Sequence, residues 1–312
     1  MAIVSAGHFG CLFPGNVAKD ASSISSAKAP LWGDLTLFEP PHGGFSKAGE
    51  VPEYSLTDAG LSVKSYLDRV SSLTLMAVAL ALGNKRNPDF GLAFGTRWGP
   101  LSSMKLFFEK VKQNPRFAPP LPFSHSYANS PASVAAIEFG LKGWHCVFSD
   151  EDVSGLDALI AAADEANRTS AAIVVAAADA LSPELFAYYH SQNLMGLPSD
   201  DQPDKFVPAE AAVALLVEPD GQGRKISPLP PDSVKSASRS ACHIFTDAYT
   251  RARASSFEHL SGAANNVTHV GLITGNTGAA GGLLALAAGC AFPEPTLIMA
   301  GVPDNPRFIL LE

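Results

Sequence analysis

The chain has 312 residues, 46% of them hydrophobic, with 22 basic against 30 acidic side chains and a formal charge of −8. That length and apolar content can bury a large core, as one domain or as two closely joined halves. The acidic balance argues against nucleic acid as a partner, because phosphate recognition needs a concentrated basic face.

In chain order, the apolar runs IVSAG, GLAFGT, HCVFS, AAIVVAA, AVALLVE and HVGLITG read as strands, and SLTLMAVALAL, GLDALIAAADEA and GGLLALAAG read as helices. This alternation predicts an α/β protein with helices covering a sheet on both faces. The helices at Leu156 and Leu283 are apolar on most faces, which suits an interior position between two sheets. Glu39 to Glu53 and Gly196 to Pro208, rich in Pro, Gly and charge, read as surface loops. Pro228 to Pro231 marks a seam between a first half, residues 1–223, and a shorter second half, residues 224–312.

Nothing basic precedes the first apolar stretch, so no signal peptide is expected. Gly271 to Phe292 is uncharged but broken by glycines and Asn276, which argues against a membrane span. Cys11, Cys146, Cys242 and Cys290 form neither a zinc pattern nor a disulfide framework, and His125, His145 and His269 lack metal-ligand spacing. The expectation is a cytoplasmic protein without metal or cofactor.

The segment from Asn129 to Ala163 resembles the centre of a β-ketoacyl synthase. In that family an N-x-x-A/G stretch leads into an amphipathic helix, an L-x-G-x turn, a strand and an elbow reading A-C-x-S-G-L. Here the order is Asn129, SPASVAAIEF, Leu141-Lys142-Gly143, His145-Cys146-Val147-Phe148 and Val153-Ser154-Gly155-Leu156, so Asp152 takes the place of the cysteine. A carboxylate cannot replace a thiolate in acyl transfer. Ala2 to Asn16 resembles the opening strand and G-x-x-S-P-x-G-N loop, Asp68 to Gly83 the R-x-S-R helix, Phe94 to Leu101 the G-T-G-x-G-G-L strand, and Pro208 to Glu218 the G-E-G-A-A-A-L-V-L-E strand.

The second half departs from the pattern. No H-G-T-G-T is found, and the K-x-x-x-G-H-T-G-A-A-G motif is represented by Thr274 to Gly282, with Asn276 at its histidine and Gly271 at its lysine. Val267 to Leu272 also reads as the strand of the first motif collapsed onto the second. Met299 to Asn305 replaces the G-F-G-G-x-N loop. The two imidazoles that serve decarboxylation and carbanion stabilisation are thus missing.

The resemblance implies a layered α-β-α-β-α thiolase-like fold with two pseudo-repeated halves, the second shortened. It further implies a noncatalytic chain length factor, paired as a heterodimer with an active β-ketoacyl synthase whose acyl tunnel it shapes. An acyl carrier protein would be reached through that partner. Family dimers form through the strand here containing Cys146 and Phe148 and the loop containing Phe123 and Tyr127. Trp98, after the G-T-G position, is a candidate acyl-tunnel gate.

Each of these residues also has a simpler reading. Asp152 suits a helix N-cap; Cys146 suits a strand core; Trp98 suits ordinary aromatic packing. Arg239, Arg251 and Arg253 read as a carrier-protein contact or as a solvated helix face. Ser154 is a weak nucleophile candidate, since VSGLD lacks the G-x-S-x-G elbow. The alternatives in function are a repurposed acyltransferase or hydrolase using Ser154 or Asp152, and a homodimeric acyl-binding scaffold.

Overall fold

A computed structural model describes residues 4–41, 44–62, 64–219, 221, 223–261, 266–302 and 304–312. Ala2 and Ile3 of the expected opening strand, His42 and Gly43 of the first loop, and Pro303 of the closing loop lie outside them.

The first half runs β1 (Val4–Phe13), β2 (Asn16–Ala18), α1 (Ser22–Ser25), β3 (Gly33–Asp34), β4 (Lys47–Ala48), α2 (Arg69–Leu82), β5 (Gly91–Gly95) and α3 (Leu101–Gln113). It continues through α4 (Pro120–Ser124), α5 (Ser130–Phe139), β6 (His145–Phe148), α6 (Ser154–Thr169), β7 (Ile173–Asp179), α7 (Pro183–Ser191) and β8 (Ala211–Glu218). The second half runs β9 (Arg224–Pro228), α8 (Val234–Ser240), β10 (His243–Thr246), α9 (Arg251–Ser261) and β11 (Asn266–His269). Then come α10 (Val270–Thr274), α11 (Ala280–Gly289), β12 (Thr296–Val302) and β13 (Asn305–Leu311).

One hydrogen-bonded sheet takes the order β11-β10-β12-β13-β9-β1-β8-β7-β5-β6, with β2 beside β1. Its two arms repeat one pattern. β6, β5 and β7 are mutually parallel neighbours, followed by antiparallel β8 and β1. β11, β10 and β12 are likewise parallel, followed by antiparallel β13 and β9. The arms join where β1 pairs antiparallel with β9, Val4 opposite Ile226.

Two of the helices, α2 and α5, end at a glycine of positive φ. The Asp68 carboxylate accepts from Val70 N–H to start α2, and Gly83 at φ 53° ends it. Asp68 also accepts from the Ser103 hydroxyl at 2.6 Å, tying α2 to α3. The α5 helix coincides with SPASVAAIEF and stops at Gly140, φ 67°.

The interior position expected for two helices is realised. All ten residues of α11 are buried, and it packs against β7 and β8 of one arm and β10 and β12 of the other. Leu156, Leu159 and Ala163 of α6 share that core with Leu283 and Leu286, while the last turn of α6 reaches solvent. Gly155 lets the two helices meet: a Cβ there would lie 2.3 Å from the Ala279 carbonyl oxygen.

Three readings of the sequence are corrected. HVGLITG is not a strand: β11 ends at His269 and Val270 begins a helical turn. The reason is close packing, since Gly271 lies so near the Asp247 backbone that a Cβ would be 2.4 Å from its carbonyl oxygen. The alternative that Val267 to Leu272 contains the collapsed strand of the first motif also falls, because β10 is a separate strand parallel to β11. The expected loop Glu39 to Glu53 contains the short strand β4, which pairs with β3.

Candidate functional site

β5, β6 and β7 end side by side, and the segments leaving them meet the loop after β10. Arg97 follows β5, Asp152 lies in the turn between β6 and α6, and Asp247, Tyr249 and Arg253 come from the chain after β10. Asp152 is 4% exposed and stands at the centre. Its Oδ1 accepts from Arg97 Nη1 at 2.6 Å, and its Oδ2 accepts from Arg253 Nη1 at 2.7 Å and the Tyr249 hydroxyl at 2.9 Å.

The network extends outward in two directions. Arg97 Nη2 reaches Glu151 at 2.8 Å on the surface. Arg253 Nη2 reaches Asp247 at 3.1 Å and donates to the Gly301 carbonyl at 2.7 Å. The Gly301 N–H in turn donates to Asp247 at 3.0 Å. The Arg253 guanidinium also lies over the Tyr249 ring, 4.3 Å from its centroid.

Burial opposes ionisation of Asp152, but the Arg253 and Arg97 charges outweigh it and hold the carboxyl below its usual range. Asp247 behaves oppositely: burial raises it to about 6, against the pull of Arg253 and with the Asp152 charge adding to the rise. Burial also pushes the Tyr249 phenol up, and its neighbour Asp152 reinforces the shift. Asp152 is therefore a paired anion, and Tyr249 is a neutral donor to it.

This geometry removes the N-cap reading of Asp152. The α6 N-terminus has no side-chain cap, and both Asp152 oxygens are taken by Arg97, Arg253 and Tyr249. Ser154 is fully buried, donates to the Glu151 carbonyl at 2.7 Å and accepts from Asp150 N–H at 2.7 Å. Its hydroxyl closes a turn and is no accessible nucleophile. Arg253, 8% exposed, belongs to the network and is not a contact surface.

Asn276 joins the same site and is 2% exposed. Its backbone bridges to the segment before β8, donating to Val207 and accepting from Ala209, both near 2.9 Å. Its Oδ1 accepts from Gly278 N–H at 3.0 Å, while Nδ2 has no partner. Gly271 adjoins through Asp247, and its contact with the Asp247 backbone leaves no room for a lysine side chain.

A cavity of about 560 Å³ opens beside the network, lined by Arg97, Arg253, Tyr249 and Asn276 together with Tyr189, Leu194 and Phe206. A second, of about 280 Å³, lies across Arg97 and Tyr249, bounded by Asp152, Val153 and Val302. Trp98 is not among the side chains lining either. Its ring sits edge-on to Tyr188 and Tyr189 of α7, and its Nε1 donates to the Tyr189 hydroxyl at 3.0 Å.

Two carboxylates that the sequence reading did not single out brace this region. Asp179, at the end of β7, accepts from the Thr96 hydroxyl and from the N–H groups of Arg97, Trp98 and Ala279 at 2.8 to 3.1 Å. Burial nonetheless raises its pKa. Glu210, fully buried, pairs with Arg69 and accepts from Val51 and Leu181 N–H. The available signal for Asp179 was an aspartate closing an unbroken apolar strand, a placement that demands partners.

The remaining sequence-stated positions lie elsewhere. β6 is an edge strand, and Cys146 and Phe148 on it are half-buried rather than enclosed in a core strand. Phe123 and Tyr127 are exposed, their rings 5.4 Å apart, with Phe107 5.0 Å from Phe123. Phe107 in turn contacts Phe108, itself exposed, so that these rings follow one another along the α3–α4 segment, where Phe117 and Leu121 are exposed as well.

No helix among the described residues is long and apolar enough to cross a membrane. No family model and no curated protein sequence matches the chain. Solved structures do. The ishigamide ketosynthase/chain length factor superposes with a TM-score of 0.76 at 18% identity, over 100% of this chain and 99% of that one. The AntDE:AntF complex, a type II PKS acyl-carrier protein with its ketosynthase bound to the hexaketide, gives 0.77 at 14% identity over 99% and 98%. A β-ketoacyl synthase from Burkholderia phymatum STM815 gives 0.76 at 14% identity over 100% of both chains. The chain thus has the thiolase-like α/β fold of these ketosynthase structures.

Proposed function

We propose that this chain is a noncatalytic, chain-length-factor-like subunit that pairs with an active β-ketoacyl synthase and shapes the space in which that synthase's acyl chain grows. The observation that carries the reading is the state of Asp152. At the position of the family's cysteine stands a buried anion, held by two guanidinium groups and a phenol. It offers no free nucleophile, and the chain after β10 brings Asp247 and Tyr249 from a loop and Arg253 from α9 to the site rather than imidazoles.

Two surfaces support pairing. Among the described residues, β6 has a strand neighbour on one edge of its backbone only, an arrangement that favours addition of a partner strand. The apolar patch with Phe123, Tyr127 and Phe108 supplies aromatic side chains of the kind enriched in interface cores. An acyl carrier protein would reach the pair through the active subunit. Residues 1–223 and 224–312 would act in it as one compact unit.

Native mass spectrometry of the chain, alone and co-expressed with the β-ketoacyl synthase encoded nearest to it, tests this. A one-to-one complex is expected. A homodimer indifferent to the synthase would refute the proposal.

A further inference from the structure

The surface of the α3–α4 segment differs from the rest of the chain in two ways at once. Six of the eleven large hydrophobic side chains exposed among the described residues lie between Leu106 and Tyr127. Over residues 101–128 four basic side chains, Lys105, Lys110, Lys112 and Arg116, stand against one acidic, Glu109, in a chain whose formal charge is −8.

The basic and apolar groups are interleaved. In α3, Lys110 comes three residues after Phe107 and Lys112 four after Phe108, spacings that make neighbours on a helix surface. Arg116 adjoins Phe117, which is 77% exposed. Lys105 is paired with Glu184 at 3.0 Å. Lys110, Lys112 and Arg116 are exposed, and no carboxylate among the described residues pairs with them.

Clustered apolar exposure marks an interaction site, and the unmatched cations state the charge of what it meets. A second copy of the chain does not fit. A two-fold contact uses the same patch on both subunits, so the lysines of one copy would approach those of the other. His125, between Phe123 and Tyr127 in sequence, also lines a cavity of about 320 Å³ with Tyr66, Leu67 and Val134. A hollow of that kind takes an anchoring side chain, which favours a folded protein over a bilayer surface.

We infer that the synthase proposed as partner meets α3–α4 with a surface combining apolar side chains and carboxylates, and that Lys110, Lys112 and Arg116 keep two copies of this chain from pairing there. The inference rests on the pairing reading and adds to it the chemistry of the partner's face.

The test is the dissociation constant of the chain with the β-ketoacyl synthase encoded nearest to it, measured by analytical ultracentrifugation. Affinity should fall at least about tenfold between about 50 and about 500 mM NaCl, because salt screens attraction between exposed charges. Lys110→Glu with Lys112→Glu should weaken pairing at least about tenfold at the lower salt and abolish that salt dependence. Lys110→Gln with Lys112→Gln should act in the same direction to a smaller extent and serves if the charge reversal does not fold. Lys235→Glu with Arg239→Glu, exposed on α8, changes the net charge equally and should leave the affinity within about twofold. Failure to form any complex would refute the pairing reading and this inference with it. A complex indifferent to salt and to the α3 variants, or weakened as much by the α8 pair, would refute the inference alone, as would self-association of the natural chain that Phe123→Asp abolishes. Binding of phosphatidylglycerol vesicles or of an acyl carrier protein by the chain alone, lost in the Lys110→Glu, Lys112→Glu variant, would overturn it by giving the surface another occupant.

Discussion

Asp152 and Arg253 are separated by 101 positions in sequence, yet their side chains meet at 2.7 Å where both are more than nine-tenths buried. A buried ion pair is weak evidence of net stabilisation, but removal of one member leaves the other charged and unmatched. Asp152→Ala should therefore destabilise the chain by about 3–5 kcal/mol. Urea denaturation of the two proteins at pH 7 measures the difference.

Asp247 gives stability a pH dependence of unusual sign for a carboxylate. Its folded pKa is raised from 3.8 to about 6, so between those values the folded state holds the proton more tightly than the unfolded state does. Its contribution to stability is greatest below this window and declines as pH rises through it, by about 3 kcal/mol in total. Asp247→Asn cannot titrate. The variant should gain on the natural chain as pH rises from about 4 to about 7, and paired unfolding curves at the two ends of that range read the change.

Gly155→Ala should destabilise by about 1–3 kcal/mol or prevent folding, because the new methyl group would strike the Ala279 carbonyl at 2.3 Å and Ala177 at 2.9 Å. Thermal unfolding, followed by circular dichroism, measures it. Gly140→Ala is a useful comparison, since no atom lies within 4 Å of its Cβ position and only the positive φ is strained.

Trp98→Phe removes the hydrogen bond to Tyr189 while keeping an aromatic ring against α7. The expected loss is about 1 kcal/mol of stability. Because the ring packs on α7 and lines neither cavity beside Asp152, product length in a reconstituted pair should not change. Unfolding curves and product mass spectra check the two parts separately.

Phe123→Asp places a charge in the exposed aromatic patch without disturbing a core contact, the ring being 44% exposed. Folding should be retained and pairing with a synthase weakened by at least about tenfold, the usual scale for a buried aromatic at an interface. Analytical ultracentrifugation of the mixed subunits distinguishes the outcomes.

The first half was legible because its signals are local. SPASVAAIEF between Asn129 and Gly140 is α5 to the residue, and the glycine-bounded GLAFG is β5. In the second half the short strands β10 and β13 carry polar or proline residues, and their strand character comes from neighbours far away in sequence. HVGLITG misled for a related reason: its composition is strand-like, but Gly271 must pass close to the Asp247 backbone and the chain turns.

The site was legible in one respect only. Asp152 was found by its place in a motif, whereas Arg97, Tyr249, Arg253 and Asp179 stand in no motif that pairs them with it. Their roles arise from charge matching across the assembled core. A neighbour-by-neighbour reading favoured the local role of helix cap for Asp152, and the distant arginines prevailed.

The wholly enclosed α11 bears on how the protein is made. Its ten residues, 280 to 289, supply apolar filling against β7 and β8, strands that are already complete at Asp179 and Glu218. During synthesis from the N-terminus, the part of those inner faces that α6 does not cover must wait until residues 280–289 have left the ribosome. Such exposed sheet surface is what chaperones bind and what aggregates, so yield in a cell should respond to chaperone supply and growth temperature more sharply than the finished protein's stability would suggest.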